Sequence, residues 1–288
     1  MNRLIPHTIP AVWPAIPAGR FATTIHEDSP LGCTVALLGL PDDTGVRMNH
    51  GRPGAARGPE AFRGALARYG ADRPEFPRVF DAGDVMPSDT LEHTHARVTE
   101  ATAALLQLGL FPIAVGGGHD LTFPFVRAVA GKFPRLAGVY FDAHLDVRDT
   151  PGSGMAFRKL VETCDVSALH LHGFRPGVNA PEHVEWFSHH RGKAYPEGAP
   201  VQLPMGQDLF VSFDLDVLDA AYAPGVSAVN PSGWTIHEAE SWVQHCGAHS
   251  QVQCFDLMEL NPLFDSDHRT ARVAAHLFLT FLAGFAQR

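Results

Sequence analysis

The sequence predicts a three-layer α/β/α fold, with helices on both faces of a mainly parallel sheet. Two observations carry that prediction. Short apolar, β-branched runs alternate with segments of helical period along the whole chain. The acidic and histidine-bearing motifs also begin where apolar runs end, and open parallel sheets place their ligand sites outside the carboxyl ends of the strands. No internal repeat, low-complexity tract or long linker interrupts the pattern, so residues 1–288 are expected to form one domain.

Taken in order, the strands are expected at Thr34–Leu40, Arg78–Ala82, Phe111–Val115, Leu136–Phe141, Val166–His172, Leu209–Phe213 and Val252–Leu257. The intervening helices are Pro59–Tyr69, Leu91–Leu108, Leu121–Phe133, Met155–Thr163, Ala180–Ser188, His237–Gly247 and Arg269–Phe285. Pro59 suits a first helical turn, where its missing N–H is no loss. Thr235 and Glu238 have the spacing of a capping box. Asp120 stands where it could cap the helix that follows it. The first thirty residues carry Pro6, Pro10, Pro14 and Pro17, which break any apolar helical run. They are expected to form an extended arm on the domain or on a neighbouring subunit, not a signal peptide or a membrane span.

Composition narrows the function. Hydrophobic residues make up 45% of the chain, charged residues 18%, and the formal net charge is −9 with no Lys/Arg-rich run. Nucleic acid is an unfavourable partner without a basic face, whereas a small anionic substrate could be met by metal ions and local arginines. The four cysteines are widely spaced and form no CxxC pair, which points to a reducing cytoplasm.

The chemistry lies in three motifs. In FDAHLD, Asp142, His144 and Asp146 follow the run LAGVYF at i, i+2 and i+4. If the strand continued through them, alternation would turn all three side chains one way and Ala143 and Leu145 the other. Converging carboxylates repel and cost several kcal/mol when buried, unless a cation offsets them. SFDLD repeats the arrangement with Asp214 and Asp216, while Asp219 and Asp149 read as supporting the ligands from behind or forming turns, not as direct ligands. GGGHD presents His119 after a glycine turn that permits close backbone approach. Four carboxylates and two imidazoles exceed what one tetrahedral zinc requires and suit harder ions such as Mn²⁺. If one Asp of each pair bridges, six residues can hold two ions that activate a water for hydrolysis.

GGGHD, DAHLD, SFDLDVLDAAYAPGVSA and DLMELNP (Asp256–Pro262), in that order, resemble the motifs of the ureohydrolase (arginase/agmatinase) family. The resemblance runs over most of the chain from Gly116 onward. It implies an arginase-like α/β/α fold, two Mn²⁺ ions and hydrolysis of a guanidino or amidino C–N bond. By the same mapping Asp142 and Asp214 would bridge the ions. His119 and Asp146 would complete one, and His144 and Asp216 the other.

Within the family, GVRMNHGRPGAARGPEAFR, SGMAFR and FRPGVNAPEH most resemble the formimidoylglutamase branch, although Met-Ala in SGMAFR departs from its commoner Thr-Pro. Val147–Leu160 also lacks the histidine that arginases and agmatinases usually carry there. That branch implies hydrolysis of N-formimidoyl-L-glutamate to L-glutamate and formamide, in histidine degradation. The substrate has a cationic formimidoyl group and two carboxylates. Glu259 could pair with the cation and Arg148 with a carboxylate. Ser153 and Arg52 are further contact candidates, while Arg52, Arg47 and Arg175 could equally order loops. Asp146, ligand and proton carrier together, and Glu259 are the expected catalytic residues.

A small-molecule substrate, a homo-oligomeric state and no membrane or nucleic-acid partner complete the expectation. The rivals are an agmatinase or other guanidino-acid hydrolase, a binuclear phosphoesterase and a catalytically silent, metal-stabilised assembly protein. The phosphoesterase fails on motif order, because GGGHD precedes DAHLD. The silent assembly protein fits poorly with six ligands and Glu259 all present. The pairs His93/His95, His170/His172 and His189/His190 lack an acidic cluster and read as structural or surface residues.

Overall fold

The structure, a computed structural model, describes residues 4–73, 75–196, 198–199 and 203–288. Among the described residues the strands are β1 (Thr8–Ile9), β2 (Val35–Leu40), β3 (Val79–Val85), β4 (Phe111–Gly116), β5 (Ala137–Phe141), β6 (Ala168–Phe174), β7 (Gly192–Pro196), β8 (Leu209–Asp214) and β9 (Val252–Met258). The helices are α1 (Thr44–Met48), α2 (Gly58–Leu66), α3 (Leu91–Gln107), α4 (Thr122–Lys132), α5 (Ala156–Thr163), α6 (Pro181–His189), α7 (Ile236–Ala248) and α8 (Arg269–Phe285). The strands form one sheet in the order β1-β3-β2-β4-β9-β8-β5-β6-β7, and only the β1–β3 pairing is antiparallel.

The central strands are buried along their length, as parallel strands covered on both faces must be. Alternation then divides their side chains between two cores. Val35, Leu37, Ile113, Val139, Val211 and Phe255 face one cluster, built with α2, α7 and α8. Ala36, Leu38, Ala114, Tyr140, Phe210 and Cys254 face the other, built with α3, α4 and α5. The predicted three layers are therefore present, with Pro59 in the first turn of α2 and the Thr235–Glu238 capping box at the start of α7.

The proline-rich arm lies on its own sheet; its first three residues fall outside the described ones. Ile5 and Phe21 are buried in the cores. The arm covers the outer edge of β3 twice. Thr8 pairs with Val85, and His26 bridges to Phe80, its N–H donating to Val79 O and its carbonyl accepting from Asp81 N. Two expectations need correcting. Asp120 does not cap α4; its Oδ2 lies 2.9 Å from His95 Nε2. The strand preceding FDAHLD ends at Phe141, and Asp146 has a φ of +46°, so a turn brings the three side chains together.

Candidate metal centre and substrate pocket

Four neighbouring strands bring the site together. In sheet order β4, β9, β8 and β5 lie side by side, with Val115 level with Leu257, Leu257 with Phe213, and Phe213 with Phe141. The residues just beyond these level ends are His119, Glu259, Asp214 to Asp216 and Asp142 to Asp146. Gly117 makes the first turn possible, because a Cβ on it would stand 1.8 Å from Asp42 O.

The two acidic motifs are shaped by their own carboxylates. Asp142 Oδ1 accepts from His144 N at 2.6 Å, and Asp214 Oδ1 accepts from Asp216 N at 2.8 Å. Such Asx turns close the chain locally. Each aspartate thereby ties one oxygen to its own loop and turns the other inward, and the tied Oδ1 of Asp142 also faces His144. Asp142 Oδ2, Asp146 Oδ2 and Asp214 Oδ2 stand 3.2, 2.9 and 3.0 Å from His119 Nδ1. His144 Nδ1 stands 3.3 Å from Asp142 Oδ1 and 3.1 Å from Asp216 Oδ2.

One imidazole nitrogen can serve one hydrogen bond, yet three carboxylate oxygens crowd His119 Nδ1. That nitrogen, Asp142 Oδ2 and Asp216 Oδ1 are buried without a hydrogen-bond partner. A proton between them would not satisfy this geometry, and a cation would. The donor atoms fall into two groups able to hold a metal ion, His119–Asp142–Asp146–Asp214 and Asp142–His144–Asp216, with Asp142 common to both.

Electrostatics points the same way. Burial first, then the Asp146 and Asp216 charges, push the Asp142 carboxyl up to about 6. Burial raises Asp214 well above the usual carboxylate range, with Asp216 and Asp142 adding to the effect. For His119, burial favours the neutral ring, but the facing carboxylates of Asp142, Asp146 and Asp214 outweigh it and hold the pKa well above normal. The Asp216 charge is the chief cause of the same upward shift at His144. The cluster thus favours bound positive charge, as a metal centre must.

A polar chain behind the cluster orients His119. Its Nε2 lies 3.0 Å from Ser212 Oγ, which donates to Asp256 Oδ1 at 2.6 Å, and Thr122 Oγ1 donates to Asp256 Oδ2 at 3.0 Å. A proton on Nε2 leaves the Nδ1 lone pair facing the cluster. Such outer partners set tautomer and ligand basicity. Ser212 and Asp256 had no role in the sequence reading. The signal available was polar residues at wholly buried strand positions.

The cluster opens into a pocket of about 390 Å³, lined by Asp146, Arg148, Ser153, Glu259 and Asn49 among others. Glu259 has a φ of +67°; Oε1 accepts from His119 N at 2.9 Å and Oε2 from the Ser227 hydroxyl. Burial raises its pKa to about 7. Arg148 is exposed at the pocket, its stem close over Gly154. Ser153 Oγ accepts from Asn49 Nδ2 at 3.2 Å.

Of the two readings open for Arg52, substrate contact and loop ordering, its surroundings favour the second. It is absent from the pocket wall because its guanidinium donates to the carbonyls of Ser227, Pro224 and Val226 and lies over Phe264. Arg47 pairs with Asp43, and Arg175 with Asn230. All three are engaged with neighbouring groups of the protein. Asp219 forms a turn, accepting from Ala221 N and Ser232 N. His95 is taken by Asp120, and His170 and His172 stack on Tyr195.

Comparison with known proteins agrees with this architecture. Residues 33–284 match the model of the arginase family. A formimidoylglutamase of Rhodococcus jostii is 35% identical over 280 residues, covering 88% of this chain and 87% of that protein. One from Aeromonas salmonicida is 35% identical over 272 residues, covering 84% of each. The crystal structure of Trypanosoma cruzi formiminoglutamase with Mn²⁺ superposes with a TM-score of 0.87 at 30% identity, over 95% of this chain and 100% of that one. With the strand-end cluster, the level sheet and a family match spanning nearly the whole sequence, this chain belongs to the arginase family.

Proposed function

We propose that this protein is a formimidoylglutamase, hydrolysing N-formimidoyl-L-glutamate to L-glutamate and formamide. The observation that carries the reading is one pocket that joins a metal-capable cluster and buried Glu259 to an exposed Arg148. The formimidoylglutamases among its relatives support the same substrate. In this reading His119, Asp142, Asp146 and Asp214 would hold one Mn²⁺, and Asp142, His144 and Asp216 would hold the other. The pair supplies an activated water near neutral pH and positive charge opposite the developing negative charge.

The chain's own residues do the rest. Glu259 receives the cationic formimidoyl group, whose charge favours the ionised carboxylate in spite of burial. Arg148 fixes a substrate carboxylate at the mouth, and Ser153 lines the path between them. Asp146 is half-buried, unlike the fully buried Asp142, so it can exchange a proton with the pocket. It takes the proton of the attacking water and passes it to the departing glutamate nitrogen. Release of glutamate and formamide completes the turnover. We further propose a cytoplasmic homo-oligomer with a role in histidine degradation; among the described residues no helix is long and apolar enough to cross a membrane.

Product analysis tests the substrate. Manganese-loaded protein given N-formimidoyl-L-glutamate should release formamide and glutamate, and should release little urea from agmatine, arginine or guanidinobutyrate. Faster urea release from any guanidino compound would overturn the assignment.

A further inference from the structure

A second cavity, of about 730 Å³, lies apart from the metal centre and exceeds the substrate pocket in volume. Prolines of the N-terminal arm, alanines of α2 and Pro262 give it an apolar lining. Four arginines from distant parts of the chain, Arg20, Arg57, Arg68 and Arg272, share it with one carboxylate, Glu60. Arg57 Nε stands 3.6 Å from Glu60 Oε2, and Arg20 Nη1 donates to the carbonyl of Arg68. Among the described residues, the guanidinium groups of Arg68 and Arg272 have neither a hydrogen-bonded nor an ion-paired partner.

Arg57, Arg68 and Arg272 are exposed at the cleft and Arg20 is half-buried, and in a chain of net charge −9 this concentration of positive charge runs against the overall balance. The guanidinium fork matches phosphate and carboxylate oxygens. An apolar lining with a few convergent polar groups, in a volume between roughly 300 and 1,000 Å³, is the usual form of a small-molecule site. We propose that this cleft binds a small organic dianion, its phosphate or dicarboxylate head held by Arg20, Arg57, Arg68 and Arg272 and its apolar body lying on the arm and α2. The site is independent of the hydrolytic reaction and shares none of its residues.

Calorimetric titration of the full-length, manganese-loaded protein at low salt tests this. The probes are adenosine monophosphate for the phosphate head, phthalate for the dicarboxylate head, and adenosine as the uncharged control. At least one dianion should bind with about one equivalent per chain, and adenosine should not. Arg68→Ser/Arg272→Ser should weaken that binding about tenfold or more, as loss of charge-assisted contacts requires, with hydrolytic turnover unchanged. Hydrogen exchange should also show protection by the bound dianion at residues 61–68 and 269–273, which reads the site without any substitution. No binding of either dianion would overturn the proposal. So would binding that survives in the double variant, or a change of oligomeric state in that variant, which would make the cleft a subunit contact.

Discussion

At the scale of single residues, the site works by division of labour within each carboxylate. Asp142 and Asp214 close their own turns with one oxygen and face the cluster with the other. Asp146 closes no such turn and reaches the pocket. Asp146→Asn should therefore lower kcat by about 10²- to 10⁴-fold, the usual worth of positioned proton transfer; near-normal turnover with two metals still measured per chain would rule out the proton-carrying role. Arg148→Ala should raise KM for formimidoyl-glutamate roughly 10- to 100-fold, as loss of a charge-assisted pair does, and leave agmatine almost unaffected. Equal changes for both compounds would argue against a carboxylate contact. Ser212→Ala removes the acceptor for His119 Nε2 and should weaken manganese binding about 10- to 100-fold, in line with other outer-sphere partners. A chelator competition titration measures this, and unchanged affinity would show that the Ser212–Asp256 chain does not orient the imidazole.

At the scale of elements, the turn between β4 and α4 depends on glycine for space. Gly117→Ala would press a methyl group on the backbone oxygen of Asp42, which no side-chain rotation relieves. The expected result is overpacking worth about 1–3 kcal/mol together with displacement of His119, seen as a lower melting temperature and fewer than two metals per chain. Full metal content with wild-type melting would contradict it. Regular elements were largely legible because apolar period and punctuation agree: Arg269–Phe285 matches α8 end to end, and Leu91–Leu108 exceeds α3 by one residue. β1, β7 and α1 were not legible. Thr8–Ile9 is two residues among prolines, Gly192–Pro196 is an exposed edge without an apolar run, and Thr44–Met48 is barely one turn. The acidic motifs were legible because charge at an apolar strand end has few structural explanations. Strand alternation would explain their convergence only if the strands ran on, whereas Asx turns produce it, and turns of that kind depend on side-chain hydrogen bonds that spacing alone does not reveal. The arginine cleft was hidden for another reason. Residues 20, 57, 68 and 272 form no run and meet only in the fold.

At the scale of the whole molecule, the centre couples stability to metal and pH. Without a cation, Asp142 and Glu259 have folded pKa values near 6 and 7, above ordinary values of 3.8 and 4.5. His119 and His144 are also raised above 6.5. Every one of these groups binds its proton more tightly when folded, so each contributes stability that is full below its unfolded pKa and lost as pH rises through its folded pKa. The site's contribution to metal-free protein should therefore begin to decline near pH 4 and keep falling as pH rises through 6 and 7, and melting should follow it. Metal binding requires deprotonated ligands, so the rise in melting temperature on adding manganese should be larger at pH 8 than at pH 6. Thermal melts with manganese or with chelator at both values check this. A manganese effect that shrinks with rising pH would be incompatible with the cluster as the binding site.

The N-terminal arm has a role at this scale as well. An open parallel sheet ends in two unpaired margins, each a template for a stray chain. On one side the margin is β7, kept unattractive by its exposure, by Lys193 and by Pro196. On the other, the outer edge of β3 lies under the arm, with Phe80, Asp81 and Ala82 all buried. Thr8–Ile9 and His26 occupy its free amides and carbonyls instead. The arm is in that sense a built-in chaperone, a stopper of extended chain that keeps the sheet from recruiting a neighbour, and a clipped molecule should expose that sticky seam.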